Sequence, residues 1–313
     1  SFFTILKKVR GARNLLYEAC SSIPEPIEVL KFLIENKVNI NALDACKRTP
    51  LHYMIGKPKY LENIEFFLDR GDINIHILDM DLDNLATNLI EELKEERTEK
   101  CPQIRQNTFS IIGKLLVKGL NWKRPNSLLK TTMHELLELE FIGLDEIKLF
   151  IPSPKDISVE EINKQCLLGR SYAHYIAEYN NDPFEILKFL FDCGLDLNLK
   201  DNTRIDCFMY YMSNKNIKTN ALDFLEENTF KFDIENNNRG GRFCTSFLSN
   251  KFITAEIADF FFKKIHIIRK NTNRVCEPEW FPYYVGALRY LDFFLLRGNP
   301  NDTSLVEVLL EHT

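Results

Sequence analysis

Three histidines, His52, His134 and His174, have the strongest claim to chemistry in this chain. A neutral imidazole serves as a metal ligand or as a general base near neutral pH. Either role needs company, and no HxxxH or HExxH spacing brings a second histidine onto the same helix face. The sharpest enzymatic reading is a Cys–His hydrolase, with Cys166 or Cys207 as nucleophile and His174 as base. Against it, the chain shows no nucleophile motif, no glycine loop for an oxyanion and no ordered third member. The histidines also recur in one repeated string: Thr49-Pro50-Leu51-His52, Thr131-Thr132-Met133-His134 and Ser171-Tyr172-Ala173-His174.

Other suggestive residues have plainer explanations. Gly240-Gly241 stands in neither a GxxxxGK nor a GxGxxG context and reads as a permissive turn. Arg70-Gly71-Asp72 spells an integrin tripeptide, but its glycine falls where a helical pattern ends. The charge run from Lys94 to Lys100 reads as a solvated surface or as a contact loop. Eight cysteines form no CxxC pair and no dense framework, so reduced thiols are expected. The sequon Asn301-Asp302-Thr303 reads as chance. A net charge of −5, with both signs spread along the chain, gives no reason to expect nucleic acid or an anionic membrane as partner. No apolar run is long enough to span a bilayer and no signal peptide opens the chain, so a cytoplasmic location is expected. No cofactor or metal is expected.

The elements that carry these residues are clearest from Asp44 to Leu78. Thr49 is a helix cap, and Pro50 suits a first turn, where a missing N–H costs nothing. Leu51, Met54 and Ile55 give that helix one apolar face; Ile64, Phe67 and Leu68 do the same for a second, which Gly71 is expected to end in a left-handed cap. This unit resembles an ankyrin repeat: Asp at the first position, Thr-Pro-Leu-His opening an inner helix, and a Gly-x-x-x-Asn finger after the outer one.

The resemblance extends over most of the chain. The clearest repeats are residues 11–43, with Asn36 in the glycine position, 44–78, 164–200 and 201–235, the last with Asn228 at the cap. Degenerate repeats fill 79–163 and 236–300, and 301–313 reads as a C-terminal cap. Residues 93–110 read as an insertion, with Cys101-Pro102 breaking any helix and the outer helix resuming at Ile111. We therefore expect one all-α ankyrin-like solenoid of about eight helix-turn-helix repeats with short hairpin fingers.

The resemblance also carries expectations about function. In ankyrin repeats the recurring histidine bonds the loop backbone and ties repeats together, which makes His52, His134 and His174 structural. Cys20, Cys46, Cys193 and Cys207 fall where small, half-buried residues are usual. Arg48, Lys57, Arg170, Tyr179, Asn202, Thr203 and Arg204 map to turn and inner-helix positions that line the family's concave face, and these types suit a binding hot spot. The expected function is a non-enzymatic scaffold for another protein. The abundance of Asn, Lys, Ile and Phe is similar to divergent ankyrin proteins of poxviruses and intracellular bacteria, which implies an effector acting on a host protein in the host cytosol. The alternative is an effector enzyme with its site in the degenerate repeats or the insertion. A third reading makes Asn39, Asn74 and Asn198 acceptors for an asparagine hydroxylase.

Overall fold

The structure, a computed structural model, describes residues 15–22, 27–55, 61–94, 102–229, 254 and 256–257. The expected repeats at 236–300, apart from 254 and 256–257, the cap at 301–313 and Lys57 lie outside these residues. The chain divides into two compact units. One comprises residues 1–156 with 165–167, the other 157–164 with 168–313.

Short amphipathic helices build the first unit in pairs. Inner helices α1 (Leu15–Ser22), α3 (Pro50–Ile55), α5 (Leu85–Leu93) and α7 (Thr132–Leu136) alternate with outer helices α2 (Ile27–Glu35), α4 (Leu61–Leu68), α6 (Pro102–Val117) and α8 (Leu144–Phe150). Inner helices pack on inner helices, α1 on α3, α3 on α5 and α5 on α7, while α4, α6 and α8 stack behind them. Core residues follow the expected spacing: Leu51, Met54, Ile55, Ile64, Phe67 and Leu68 are all fully buried. No strand occurs among the described residues; Lys200 and Asp206 form an isolated antiparallel bridge. The second unit repeats the plan with α10 (Tyr172–Tyr179) and α12 (Cys207–Tyr211) inside, α11 (Phe184–Asp192) and α13 (Thr219–Asn228) outside, and a short α9 (Val159–Ile162). In α12 and its loop, Cys207, Tyr211 and Met212 are buried, whereas Ile205 and Phe208 are only half-buried.

The insertion differs from the sequence expectation. Its second half is helical, because α6 begins at Pro102 and runs 16 residues. Proline breaks a helix only from inside; at the first position its fixed φ favours one. The added turns are anchored, with the Arg105 guanidinium 3.5 Å from the centre of the Phe141 ring.

Helix ends supply two further corrections. Gly119 (φ 84°) and Gly194 (φ 97°) take the left-handed conformation, and the amide after each reaches back five residues, Leu120 N to Leu115 O and Leu195 N to Leu190 O. In the first repeat Lys37 (φ 62°), not Asn36, does this, with Val38 N on Leu33 O. Asn36 and Asn228 instead turn their side-chain amides back onto the carbonyls of Phe32 and Phe224, each at 2.8 Å. Gly71 is not left-handed, and a Cβ there would meet nothing within 4 Å. The residues around it, Arg70 and Asp72, form a two-pronged ion pair at 2.9 and 2.8 Å, so the Arg-Gly-Asp tripeptide is closed on itself. Gly169 is the opposite case: φ is +76°, and a Cβ would lie 2.4 Å from Asn202 Oδ1 and 2.6 Å from Asn202 N. Gly169→Ala should therefore destabilise the protein by about 1–3 kcal/mol. Gly71→Ala should leave it unchanged or gain a few tenths, about 0.4 kcal/mol. Urea midpoints of the two variants check both, and equal effects would contradict these assignments.

Candidate protein-binding surface

The candidate surface is made of loops, and one five-residue loop recurs before the inner helices. It begins at Asp44, Asp79, Asn126 and Asp201. In each, the first side chain uses one oxygen to accept two amides: Cys46 and Arg48 on Asp44, Asp81 and Asp83 on Asp79, Leu128 and Lys130 on Asn126, Thr203 and Ile205 on Asp201, all at 2.8–3.0 Å. Two backbone bonds close the turn, for example Asp79 N to Asp83 O and Leu82 N to Asp79 O. The fourth residue is left-handed each time: Lys47, Leu82, Leu129 and Arg204, with φ between 57° and 66°. A fifth loop has Cys166 at its first position and Gly169 at its fourth. Five residues after each first position stands a helix N-cap: Thr49, Asn84, Thr131, Ser171 and Asp206.

Successive loops are joined edge to edge. Within the first unit the second residue of one loop donates to the third of the loop before: Met80 N to Cys46 O at 3.0 Å, Ser127 N to Asp81 O at 2.9 Å, Leu167 N to Leu128 O at 2.8 Å. In the second unit Asn202 N donates to Leu168 O at 3.0 Å. Every backbone N–H of the loops starting at Asp79 and Asn126 is thereby taken.

The histidines lock the helix starts behind these loops. The capping amide N–H donates to histidine Nδ1 at 3.1 Å in Thr49–His52, 3.0 Å in Thr131–His134 and 3.0 Å in Ser171–His174. An Nδ1 that accepts an amide proton leaves the ring hydrogen on Nε2. His174 Nε2 donates that hydrogen to Ile205 O at 3.0 Å, a bond from one repeat to the next. His52 Nε2 is buried with no hydrogen-bond partner among the described residues. Burial holds His174 below the usual imidazole range and lowers His52 to about 4, with Asp79 opposing the shift at His52. Both nitrogens of His174 are engaged, so this ring is not available as the base of a hydrolase. Of the two thiols considered as nucleophile, Cys207 is equally unsuited, because burial raises it and its Sγ–H points at Leu197 O; burial also pushes Cys193 up to about 11. No group of three metal-binding side chains occurs among the described residues.

A family model described as "Ankyrin repeats (many copies)" matches residues 16–56. The chain carries ankyrin repeats. No curated protein matches its sequence. Among solved structures it is similar to a chain in the complex of the predatory endopeptidase Bd0816 from Bdellovibrio bacteriovorus with the immunity protein Bd3460. The identity is 17%, over 69% of this chain and 98% of that one, with a TM-score of 0.52. It is also similar to the ankyrin repeat protein EF0377 (18% identity, 68% and 96% covered, TM-score 0.49) and to an ankyrin repeat domain from Acinetobacter baumannii AYE (16%, 68% and 94%, 0.49). At these identities the likeness is one of fold.

The side chains expected on the ankyrin surface fall into two groups. Arg48 is half-exposed, and its guanidinium reaches the buried carboxylate of Asp79 in the next repeat at 3.5 Å. Arg170 is tied down more firmly, with Nη1 on Glu178 at 2.7 Å and its guanidinium 4.5 Å from the centre of the Tyr210 ring on the next inner helix. Tyr179 is half-buried against Tyr175. The two arginines reach into the next repeat, whereas the Tyr179 ring stacks within its own helix. Asn202, Thr203 and Arg204 are exposed at a loop tip, and the Arg204 side chain makes no hydrogen bond or ion pair among the described residues.

Sequence reasoning missed a row of apolar side chains at the same tip positions. In the first unit Met80, Leu82, Leu128, Leu129 and Leu167 occupy three successive loops and are 40–58% exposed. Leucine has no intrinsic liking for the left-handed region, yet Leu82 and Leu129 are held there by the loop bonds with their side chains in solvent. The readable signal was the register: these residues fall one to three places after a loop-opening Asp or Asn, or after Cys166.

Two stability predictions follow from this geometry. His174→Ala should cost about 2–3 kcal/mol and His52→Ala about 1–2 kcal/mol, because only His174 also serves a carbonyl of the next repeat; paired denaturant titrations measure the difference. The second concerns pH. The His52 contribution is full above the unfolded value of 6.5 and disappears as pH falls to about 4. Asp83 runs the other way, since burial raises its carboxyl to about 6 against the Asn126 amide; its contribution is present below 3.8 and lost as pH rises through about 6. Asp83→Asn should therefore stabilise the protein at pH 7.5 by about 1–2 kcal/mol and steepen its loss of stability between pH 6.5 and 4. Melting curves across that range test both signs.

Proposed function

We propose that this ankyrin-repeat chain is a non-enzymatic scaffold whose partner protein docks on the loop tips and the adjoining ends of the inner helices. One observation carries the reading: five large apolar side chains stand exposed on three consecutive loops that are tied to one another by backbone bonds, two of them with every N–H engaged. Exposed apolar side chains gathered on one rigid edge are the mark of a surface meant to be covered. Repeat stacks present extended surfaces of this kind to other macromolecules. Arg48 adds a half-exposed guanidinium beside the first of these loops, and in the second unit Arg204, Asn202 and Thr203 occupy the corresponding tip positions. The partner is proposed to be a host protein met in the host cytosol. The free thiols Cys20, Cys46, Cys166, Cys193 and Cys207 support a reducing compartment.

The test is capture from host-type cytosol with three forms of the full chain: unaltered, Met80→Ser with Leu128→Ser at the tips, and Lys31→Ala with Lys188→Ala on the outer helices. The tip pair should lower recovery of the partner at least tenfold, about 1.4 kcal/mol, with an unchanged melt, while the outer pair recovers it in full. Loss in the outer pair with full recovery by the tip pair would reverse the assignment of the face.

A further inference from the structure

The tip row has a chemistry that narrows what can cover it. Resting on the scaffold reading above, we propose that Met80, Leu82, Leu128, Leu129 and Leu167 receive an amphipathic helix of another protein, apolar on the facing side and carrying carboxylates that meet Lys47 and Arg124. The backbone decides between helix and strand. A partner strand binds by taking free main-chain donors and acceptors. In the loops starting at Asp79 and Asn126 all five N–H groups are already used: one closes the loop, one reaches the preceding loop, two go to the opening side chain and one returns to the opening carbonyl. An incoming strand would find no N–H to accept from on these two loops, and its own carbonyls would be buried against leucine side chains without recompense. A helix satisfies its backbone internally and offers only side chains.

Charge complementarity fixes the polar part of the partner. Lys47 holds the left-handed tip position one loop before Leu82, in the loop whose Cys46 carbonyl accepts from Met80. Arg124 lies just ahead of the loop that carries Leu128 and Leu129. Both are exposed, and neither side chain makes an ion pair among the described residues. The other cations nearby are already engaged: Arg48 with Asp79, and Lys130 with Glu135 and Glu138. On the loops themselves the exposed anion is Asp81, against the two cations Lys47 and Arg124, so the unpaired charge beside the leucine tips is positive. Carboxylates at one end of an apolar helix face complement that arrangement and steer its approach.

The experiment uses a displayed library of random 20-residue peptides selected on the full chain, with Leu82→Asn/Leu129→Asn as the comparison. Asparagine accepts the left-handed conformation better than leucine, so this variant should melt at or above the temperature of the unaltered protein. Selected peptides should show apolar residues at helical spacing with Asp or Glu in excess, become helical on binding, and bind the variant at least tenfold more weakly. Replacing their acidic residues with Lys should weaken binding to a similar degree. Peptides that bind extended, are basic, or bind the variant equally well would overturn the proposal. So would sedimentation showing that the unaltered chain dimerises through this row and the variant does not. If cytosolic capture depends on the tips while no helical acidic peptide is selected, the scaffold reading stands and the helix assignment falls.

Discussion

The repeat depends on one carboxylate or amide oxygen that accepts two backbone N–H groups at the start of four of the five loops described. Asp44, Asp79, Asn126 and Asp201 all do this. The bond pair forces the fourth loop residue into the left-handed region whatever its type, which is why Lys, Leu and Arg are found there and not only glycine. It also leaves the second residue's N–H pointing outward, free to bond the preceding loop. In Asp44 and Asp201 the other carboxylate oxygen takes a tyrosine hydroxyl from the following inner helix, Tyr53 at 2.5 Å and Tyr210 at 2.8 Å. One side chain thus shapes the turn, sets the loop register and orients the helix that follows.

The histidine completes that arrangement from the other side. With Nδ1 holding the capping amide, the inner helix cannot slide relative to its loop, and in His174 the Nε2–H adds a bond to the next repeat. The same burial that makes the ring a good structural part makes it a poor base, because at His52 and His174 the cost of burying the charged form outweighs the pull of the nearby carboxylates. Catalytic and architectural readings of these histidines therefore exclude each other, and the hydrogen bonds decide for architecture.

How much of this was legible depended on which device a repeat uses. Residues 44–78 and 164–200 keep the capping string and the apolar spacing, so their helix pairs could be read directly from sequence. The repeat beginning at Asp79 keeps the loop oxygen but replaces the capping Thr with Asn84 and has no histidine at the third helical position, so a reading tuned to Thr-Pro-Leu-His registers it as degenerate. Pro102 was legible as a helix boundary, though of the opposite sense, since sequence alone does not say which side of a proline is helical. The apolar tips were hidden for a simpler reason. Leucine and methionine are assigned to a core by default, and only the loop register shows that Leu128 and Leu129 lie outside it. Arg48 and Arg170 could be placed in their loops from sequence, but the groups that hold them, Asp79 for the first and Glu178 with the Tyr210 ring for the second, could not.

The joint between the repeats at 79 and 126 explains why those tips form a surface rather than a set of loose loops. Asn126 Nδ2 donates to Asp83 Oδ1 at 2.9 Å, Asn84 Nδ2 donates to Thr132 Oγ1 at 2.8 Å, and Thr87 and Thr132 hydroxyls meet at 3.0 Å. Beside them Lys94 and Lys130 both pair with Glu135, which is 3% exposed, and with Glu138. Four charges closed in this way satisfy one another, and removing any one leaves two like charges to share a single partner. Asp83 has only an amide for company, which is why its carboxyl titrates high. Polar and charged contacts of this kind stabilise less than apolar packing of the same volume, but they permit a single register. A fixed register keeps the exposed leucines of neighbouring loops in one row, and loop backbones that are already ordered would add no further ordering cost to any contact those leucines make.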